Sequence, residues 1–305
     1  MKLKYILLAV LSYGFVVACS DEEKIVLEED GVNARYEFPQ GTDEWDDLAE
    51  TIKEDHDVYM IYKDFTQLDI SRAWTAAYEK DYNGESLTGE QANAQMKFMK
   101  QHFLDYLPTE LTRSVLPLYY YLISEYRTES ISGTSVSKSL ITNFSDGLDF
   151  WVSSIYTSTE TTFPDTREKL KEHRVRIMKQ FLEAAINRGV IEIPSSFNKD
   201  FDYTTAIKTY SWDSDDPNYY LKRGFLGSIS GDSFNLGSIY SIGDVTQTKN
   251  FLTYVFSGMR YTEEEFLAKF PAEYTLIHKK RLEVINYMKE KYHVDLEAIC
   301  QGPVL

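Results

Sequence analysis

Apolar residues recur along this chain with two clear periods, and each period marks an element. After Thr42-Asp43-Glu44, the apolar positions Trp45, Leu48 and Ile52 fall three or four residues apart, which predicts an amphipathic helix ending near His56. Val58-Tyr59-Met60-Ile61-Tyr62 then reads as a strand. Thr88-Gly89-Glu90-Gln91 sets a hydroxyl at a helix cap and an amide three residues on, and Ala92, Met96, Met99 and Phe103 follow on one face. That helix should stop before Pro108. Aromatic and β-branched runs over 116–123, 139–144 and 150–156 predict strands, and Pro117 favours an edge or a strand start for the first.

The clearest helical pattern opens at Asp165, with Glu168 three residues later, carries Leu170, Ile177, Met178, Phe181, Leu182 and Ala185, and stops at Gly189. Residues 203–243 are rich in Gly, Ser and Tyr without a sustained period and predict loops and short strands. Thr262-Glu263-Glu264-Glu265 reads as another cap, and a long helix with Ile277, Val284, Ile285 and Met288 is expected to close the chain. This order implies an α+β fold, rich in helix, with a small mixed sheet. No repeat and no Pro/Gly-rich linker divides the chain after about residue 30, so residues 36–305 are expected to form a single domain, with room for a C-terminal helical lobe.

The first residues follow a different logic. Met1-Lys2-Leu3-Lys4 is cationic, and the mainly apolar run 5–17 is too short to span a hydrocarbon core of about 30 Å. Residues 1–18 therefore read as a secretory signal. The run ends in Val16-Val17-Ala18-Cys19, which resembles a bacterial lipobox, so Cys19 is expected to be lipidated and to anchor the protein in the outer membrane through acyl chains. Ser20-Asp21-Glu22-Glu23 resembles an acidic tag for export to the cell surface, and residues 19–35 read as a solvated tether.

Composition narrows the partners. Of 305 residues, 48 are acidic and 32 are Lys or Arg, a net charge of −16, so there is no cationic excess to bind a nucleic-acid backbone. With Cys19 lipidated, Cys300 has no cysteine to pair with, and the fold must rest on its core. The 23 Tyr, 17 Phe and 4 Trp supply that core, and Tyr219 and Tyr220, flanked by Asp215, Asp216 and Pro217, are the candidates for an aromatic contact surface toward a glycan or peptide.

Candidate chemistry is sparse. His56, His102, His173, His278 and His293 are isolated, with no His-Glu-x-x-His, so no cofactor is expected, and zinc could be held only by an atypical site built from separated residues such as His173 and Glu183. His173 with Glu172, and His278 with Glu273, read as surface pairs. Gly227-Ser228-Ile229-Ser230-Gly231 puts Ile229 where a nucleophilic serine would sit, and the surrounding glycines read as turns. Asp213-Ser214-Asp215-Asp216 lacks the glycine and distal Glu of an EF-hand.

Phe38-Pro39-Gln40-Gly41, Trp45-Asp46 and Ile52-Lys53-Glu54 leading into Val58 to Lys63 resemble the opening of the zinc-binding metallopeptidase-like lipoproteins associated with SusC/SusD-type, TonB-dependent importers. Gly224-Phe225, Phe251 to Phe256, Lys279-Lys280-Arg281, Ile285 to Met288 and Val294-Asp295-Leu296 resemble that family's C-terminal part, so the likeness covers most of 36–299. The resemblance implies a zincin-like scaffold in which one helix carries His-Glu-Phe-x-His, two histidines for zinc and a Glu to activate water. In this sequence Lys179-Gln180-Phe181-Leu182-Glu183 stands in that place, and of the family's later acidic cluster only Asp244 is acidic. A protonated Lys179 has no lone pair for a metal, and Gln180 cannot take a proton from water. The resemblance therefore implies a member degenerate at Lys179, Gln180 and Glu183, working as a non-catalytic accessory of a SusC/SusD-type transporter complex; the alternative is a zinc hydrolase of peptides or glycans with an atypical site.

Overall fold

The computed structural model describes residues 35–71, 82–132, 135–145, 150–229 and 233–303. The chain divides after Phe38, and Pro39–Leu305 makes one compact unit. The signal segment, Cys19 and Ser20, Asp21, Glu22 and Glu23 lie outside the described residues. No helix among the described residues is long and apolar enough to cross a membrane.

The elements in order are α1 (Glu44–His56), β1 (Tyr59–Ile61), α2 (Gln67–Ile70), β2 (Tyr82–Glu85), α3 (Gly89–His102), α4 (Thr109–Val115), β3 (Tyr119–Leu122), β4 (Ser124–Ser132), β5 (Ser135–Leu140), β6 (Asn143–Ser145), β7 (Phe150–Ser153), α5 (Arg167–Asn187), α6 (Ser195–Asn198), α7 (Gln247–Arg260), α8 (Glu263–Lys269), α9 (Thr275–Tyr292) and α10 (Leu296–Gln301). Helix and sheet are both present in the mixed α+β manner that the element order implies.

Two sheets form. In the first, ordered β1-β3-β7-β6, the first three strands are parallel and β6 runs antiparallel to β7; the second is the antiparallel β2-β4-β5. Side chains alternate across a strand, so Tyr120 on β3 and its partner Trp151 on β7 share one face, while Tyr121 and Val152 share the other. Helices α3 and α5 cover the Tyr120 face: Phe103, just past α3, lies 6.4 Å from the Tyr120 ring, and Phe181 of α5 lies 6.4 Å from Trp151. The opposite face meets the second sheet through aromatic rings, with Phe144 5.0 Å from Tyr82, 5.8 Å from Tyr126 and 6.0 Å from Phe150. Strands buried on both faces need continuous apolar runs rather than alternation, which is why Tyr119-Tyr120-Tyr121-Leu122 and Phe150-Trp151-Val152 look as they do.

Local signals place most helices. Thr88 and Gln91 form the capping box of α3, Thr262 and Glu265 that of α8, and Gly189, at φ 73°, ends the segment after α5 in the left-handed region that favours glycine. The cap of α5 is Thr166, whose hydroxyl accepts from Lys169 N at 3.3 Å, one residue beyond the expected Asp165. Other expectations are corrected. The expected strand 116–123 is shorter, Tyr119–Leu122, preceded by the helix 109–115 and by Pro117 just before its start, and it lies in the sheet interior. The expected strand 139–144 is two strands, because Ile141 N still bonds Tyr126 O of the second sheet at 2.8 Å whereas Thr142 O accepts from Ser154 N beside the first at 2.7 Å. The chain does not close on one long helix: α9 ends at Tyr292, capped by His293 at φ 55°, and α10 follows. Helix α7 is buried from Asn250 to Met259 and packs on α5, α9 and α10.

Candidate functional site

The stretch 179–183 lies in the C-terminal half of α5, a helix that packs on β6 of the first sheet and on α7. Lys179 is buried; its Nζ donates to Ser233 O at 3.3 Å and stands 6.0 Å from the Phe256 ring of α7. Gln180 Nε2 donates to Phe144 O, on β6, at 3.0 Å. Both side chains thus clamp α5 to backbone carbonyls of other segments. Glu183 is half-buried one turn beyond Lys179. An ammonium and an amide N–H aimed at carbonyls do not fit a zinc ion, which needs deprotonated N, S or O donors.

The structure also separates the residues proposed for an atypical zinc site. His173 and Glu183 are ten residues apart on one helix, about 15 Å along its axis, whereas zinc ligands lie about 2 Å from a common ion. Among the described residues no three or more His, Cys, Asp or Glu converge on a point that could hold a metal. The histidines have other partners. His56 Nδ1 meets Thr112 Oγ1 at 2.8 Å, His278 Nε2 lies 2.9 Å from Phe270 O, and His173 Nε2 lies 3.9 Å from Glu160 Oε2 rather than pairing with Glu172, which holds Arg176 at 2.5 Å.

His102 is buried, stacked on Phe98 with centroids 4.6 Å apart, and its Nδ1 is 2.9 Å from an Arg174 NH group. Burial first, and then the Arg174 charge, pull its pKa from 6.5 to about 4. The unfolded chain therefore takes up a proton as pH falls through 6.5 while the folded one does not until about 4, so stability present above 6.5 is lost across that window. The expected loss is about 3 kcal/mol from this group, and burial lowers the pKa of His56 in the same sense. Urea unfolding at a series of pH values checks it: in His102→Gln, which retains an acceptor for Arg174, the slope between pH 6.5 and 4 should flatten.

The residues at the start of the compact unit form a hydrogen-bonded knot. Gln40 accepts from Tyr62 N at 2.8 Å and donates to Lys63 O at 2.6 Å, while Tyr62 OH donates to the buried Asp46 carboxylate at 2.9 Å and accepts from Trp45 Nε1 at 3.2 Å. Burial, and after it the Asp46 carboxylate, push the Tyr62 phenol up to about 12. Gln40, Trp45 and Asp46 thus tie α1 and its approach to the end of β1, a structural role.

Of the pair expected to form an aromatic contact surface, only Tyr220 keeps part of its ring in water. Tyr219 is buried and Tyr220 half-buried, with their rings 4.9 Å apart, because Tyr220 N bonds Lys208 O and draws the segment inward. The rings that face water between 203 and 243 are Tyr210, Trp212 and Tyr240; Tyr210 and Trp212 stack at 4.4 Å and 7°. Ser211 and Asp213 beside the stacked pair, and Ser238 and Ser241 near Tyr240, are the polar signal for these positions in the sequence. Ser228 of the Gly-rich stretch pairs with Gly237 in a two-residue antiparallel bridge, which makes this stretch a turn-forming segment.

No family model matches this chain, and no curated protein does. Among solved structures, one described as a putative zinc-binding metallo-peptidase from Bacteroides caccae ATCC 43185 aligns with 86% of this chain and 92% of that one, at 12% identity and a TM-score of 0.49.

Proposed function

We propose that this chain is a lipid-anchored outer-membrane protein, exposed on the cell surface, whose metallopeptidase-like domain binds rather than cleaves and serves as an accessory of a SusC/SusD-type, TonB-dependent nutrient importer. The observation that carries the binding half of this reading is the use made of Lys179 and Gln180. Hydrolysis at the corresponding positions of the resembled family needs two zinc ligands and a base, whereas here the side chains donate to Ser233 O and Phe144 O and hold α5 in place. The anchoring half rests on Cys19 and on Ser20-Asp21-Glu22-Glu23, and the importer half on the resemblance spread over 36–299. Separation of His173 from Glu183 removes support from the alternative of an atypical zinc hydrolase.

The test is purification of the C-terminally tagged chain from gently solubilised outer membrane. A TonB-dependent channel and its capture lipoprotein are expected to accompany it, and Cys19→Ala should release the chain from the membrane fraction. Metal analysis should find less than one zinc per chain, and a chelator should shift the melting temperature by less than about 1 °C, since removing a ligand bound far above its Kd costs several kcal/mol. Stoichiometric zinc, or a chelator-induced fall of several degrees, would overturn the non-catalytic reading, and recovery of the protein alone would overturn the importer role.

A further inference from the structure

A cavity of about 420 Å³ opens between the N-terminal turns of α7 and the Ser228–Gly237 bridge. It is of the size that takes a small molecule rather than a few waters. Its walls combine one aromatic ring with polar groups of both hydrogen-bonding senses: Tyr240, Asp244, Lys249, Asn250 and Ser238 all line it. The backbone there has little freedom to close in, because Ser228 and Gly237 exchange N–H···O bonds of 3.0 and 2.7 Å, and a side chain on Gly227, at φ 140°, would meet Gly237 O at 2.6 Å.

The chemistry of the walls selects among ligands. Tyr240 is 81% exposed, so a large apolar face stands in water at the cavity instead of in the core. Asp244 takes Ser241 N on one carboxylate oxygen at 2.9 Å and keeps the other, and Lys249 reaches only the Asp244 main-chain O, at 3.4 Å, making no ion pair among the described residues. Asn250 gives its amide N–H to Tyr203 OH at 3.1 Å, which leaves its carbonyl oxygen as the acceptor. Asp244 and Lys249 give the walls one charge of each sign, so a singly charged ligand gains from one what it loses to the other, while an alkyl chain would strip water from both without replacing a hydrogen bond. A neutral molecule with one flat apolar face and a rim of hydroxyls satisfies every wall, since each hydroxyl both donates and accepts.

We propose that this cavity is a saccharide site that takes a neutral pyranose ring, with Tyr240 against the C–H face of the sugar and Asp244, Lys249 and Asn250 on its hydroxyls. The proposal deepens the accessory reading and rests on it for the class of ligand, while binding is measured on the purified chain without any importer. A shallow site with one aromatic wall gives weak binding, about millimolar.

Saturation-transfer NMR on the full chain, purified in a detergent without a sugar headgroup, tests it with methyl glucoside, methyl galactoside, methyl mannoside, maltose, cellobiose and lactose, each at about 10 mM. At least one should receive saturation on the ring protons of a single face, and Tyr240→Ala should weaken that binding about tenfold or more with an unchanged melting temperature. Lys249→Met is the second variant and decides the matter if Tyr240→Ala alters the fold. No transfer to any of the six sugars, transfer that persists in both variants, or displacement of the sugar by inorganic phosphate as from an anion site would each overturn the proposal. A null titration beside intact co-purification with a channel would remove the saccharide site and leave the accessory role standing.

Discussion

Phe181→Ala is expected to lower the stability of the chain by about 3–5 kcal/mol. Its ring is fully buried, edge-on to Phe103 at 5.6 Å and to Trp151 at 6.4 Å, where α5 meets α3 and the first sheet. Truncation removes the transfer free energy of the ring and leaves a cavity whose walls belong to three elements, so they cannot all collapse into it. Against a total stability of about 5–15 kcal/mol for a domain, this is a large fraction. Urea unfolding should show the midpoint fall with the slope unchanged, whereas Leu282→Ala, at a position 60% exposed, should move it by less than about 0.5 kcal/mol. The measurement also bears on function. Phe181 sits between Gln180 and Leu182, and a cost under about 1 kcal/mol would mean that α5 presents another face to the sheet, and that Lys179 and Gln180 do not clamp Ser233 and Phe144.

Arg174→Ala is expected to cost about 3 kcal/mol and to loosen the C-terminal helix α10 first. The guanidinium is buried on α5; Nε donates to Ile299 O at 2.6 Å, one NH group to Cys300 O at 3.3 Å, and the other meets His102 of α3. The two carbonyls lie in the last turn of α10, where main-chain oxygens lack intrahelical donors and the helix dipole favours a cation. Removing the side chain leaves both carbonyls and the His102 nitrogen without their donor. A lysine brings a single point charge in place of a planar fork, so Arg174→Lys should recover only part of the loss. Amide exchange in α10 should accelerate well before global unfolding; unchanged protection there in Arg174→Ala would show that the helix is held by its apolar residues Leu296 and Ile299 alone.

Both predictions depend on partners far apart in sequence, and that distinguishes what could be read early from what could not. The five histidines were legible as isolated, because metal motifs are local in spacing, but their partners were not: Thr112 for His56, Arg174 for His102 and Glu160 for His173 are brought near by packing. Lys179 and Gln180 could be singled out only by resemblance, and what they bond to followed from where β6 and Ser233 come to lie. Tyr219 and Tyr220 carry the flanking polar residues of a surface pair, yet the segment bonds to Lys208 with Tyr219 buried, while Tyr240, marked only by the neighbouring Ser238 and Ser241, is left in the wall of a cavity.

By itself the sequence determined the elements whose cause is local. The capping boxes at Thr88 and Thr262, the left-handed end at Gly189, the apolar stripe of α5 and the aromatic runs of β3 and β7 are set by side-chain hydrogen bonds, backbone conformation and periodicity within a few residues. Only the tertiary structure decided the rest. It split 139–144 between two sheets, paired β4 with β2 and β5, started β3 in a sheet interior, and closed the chain with α10 on the Arg174 guanidinium. Strand partnership, ring burial and cavity walls are set by contacts between segments tens of residues apart, which no local pattern encodes.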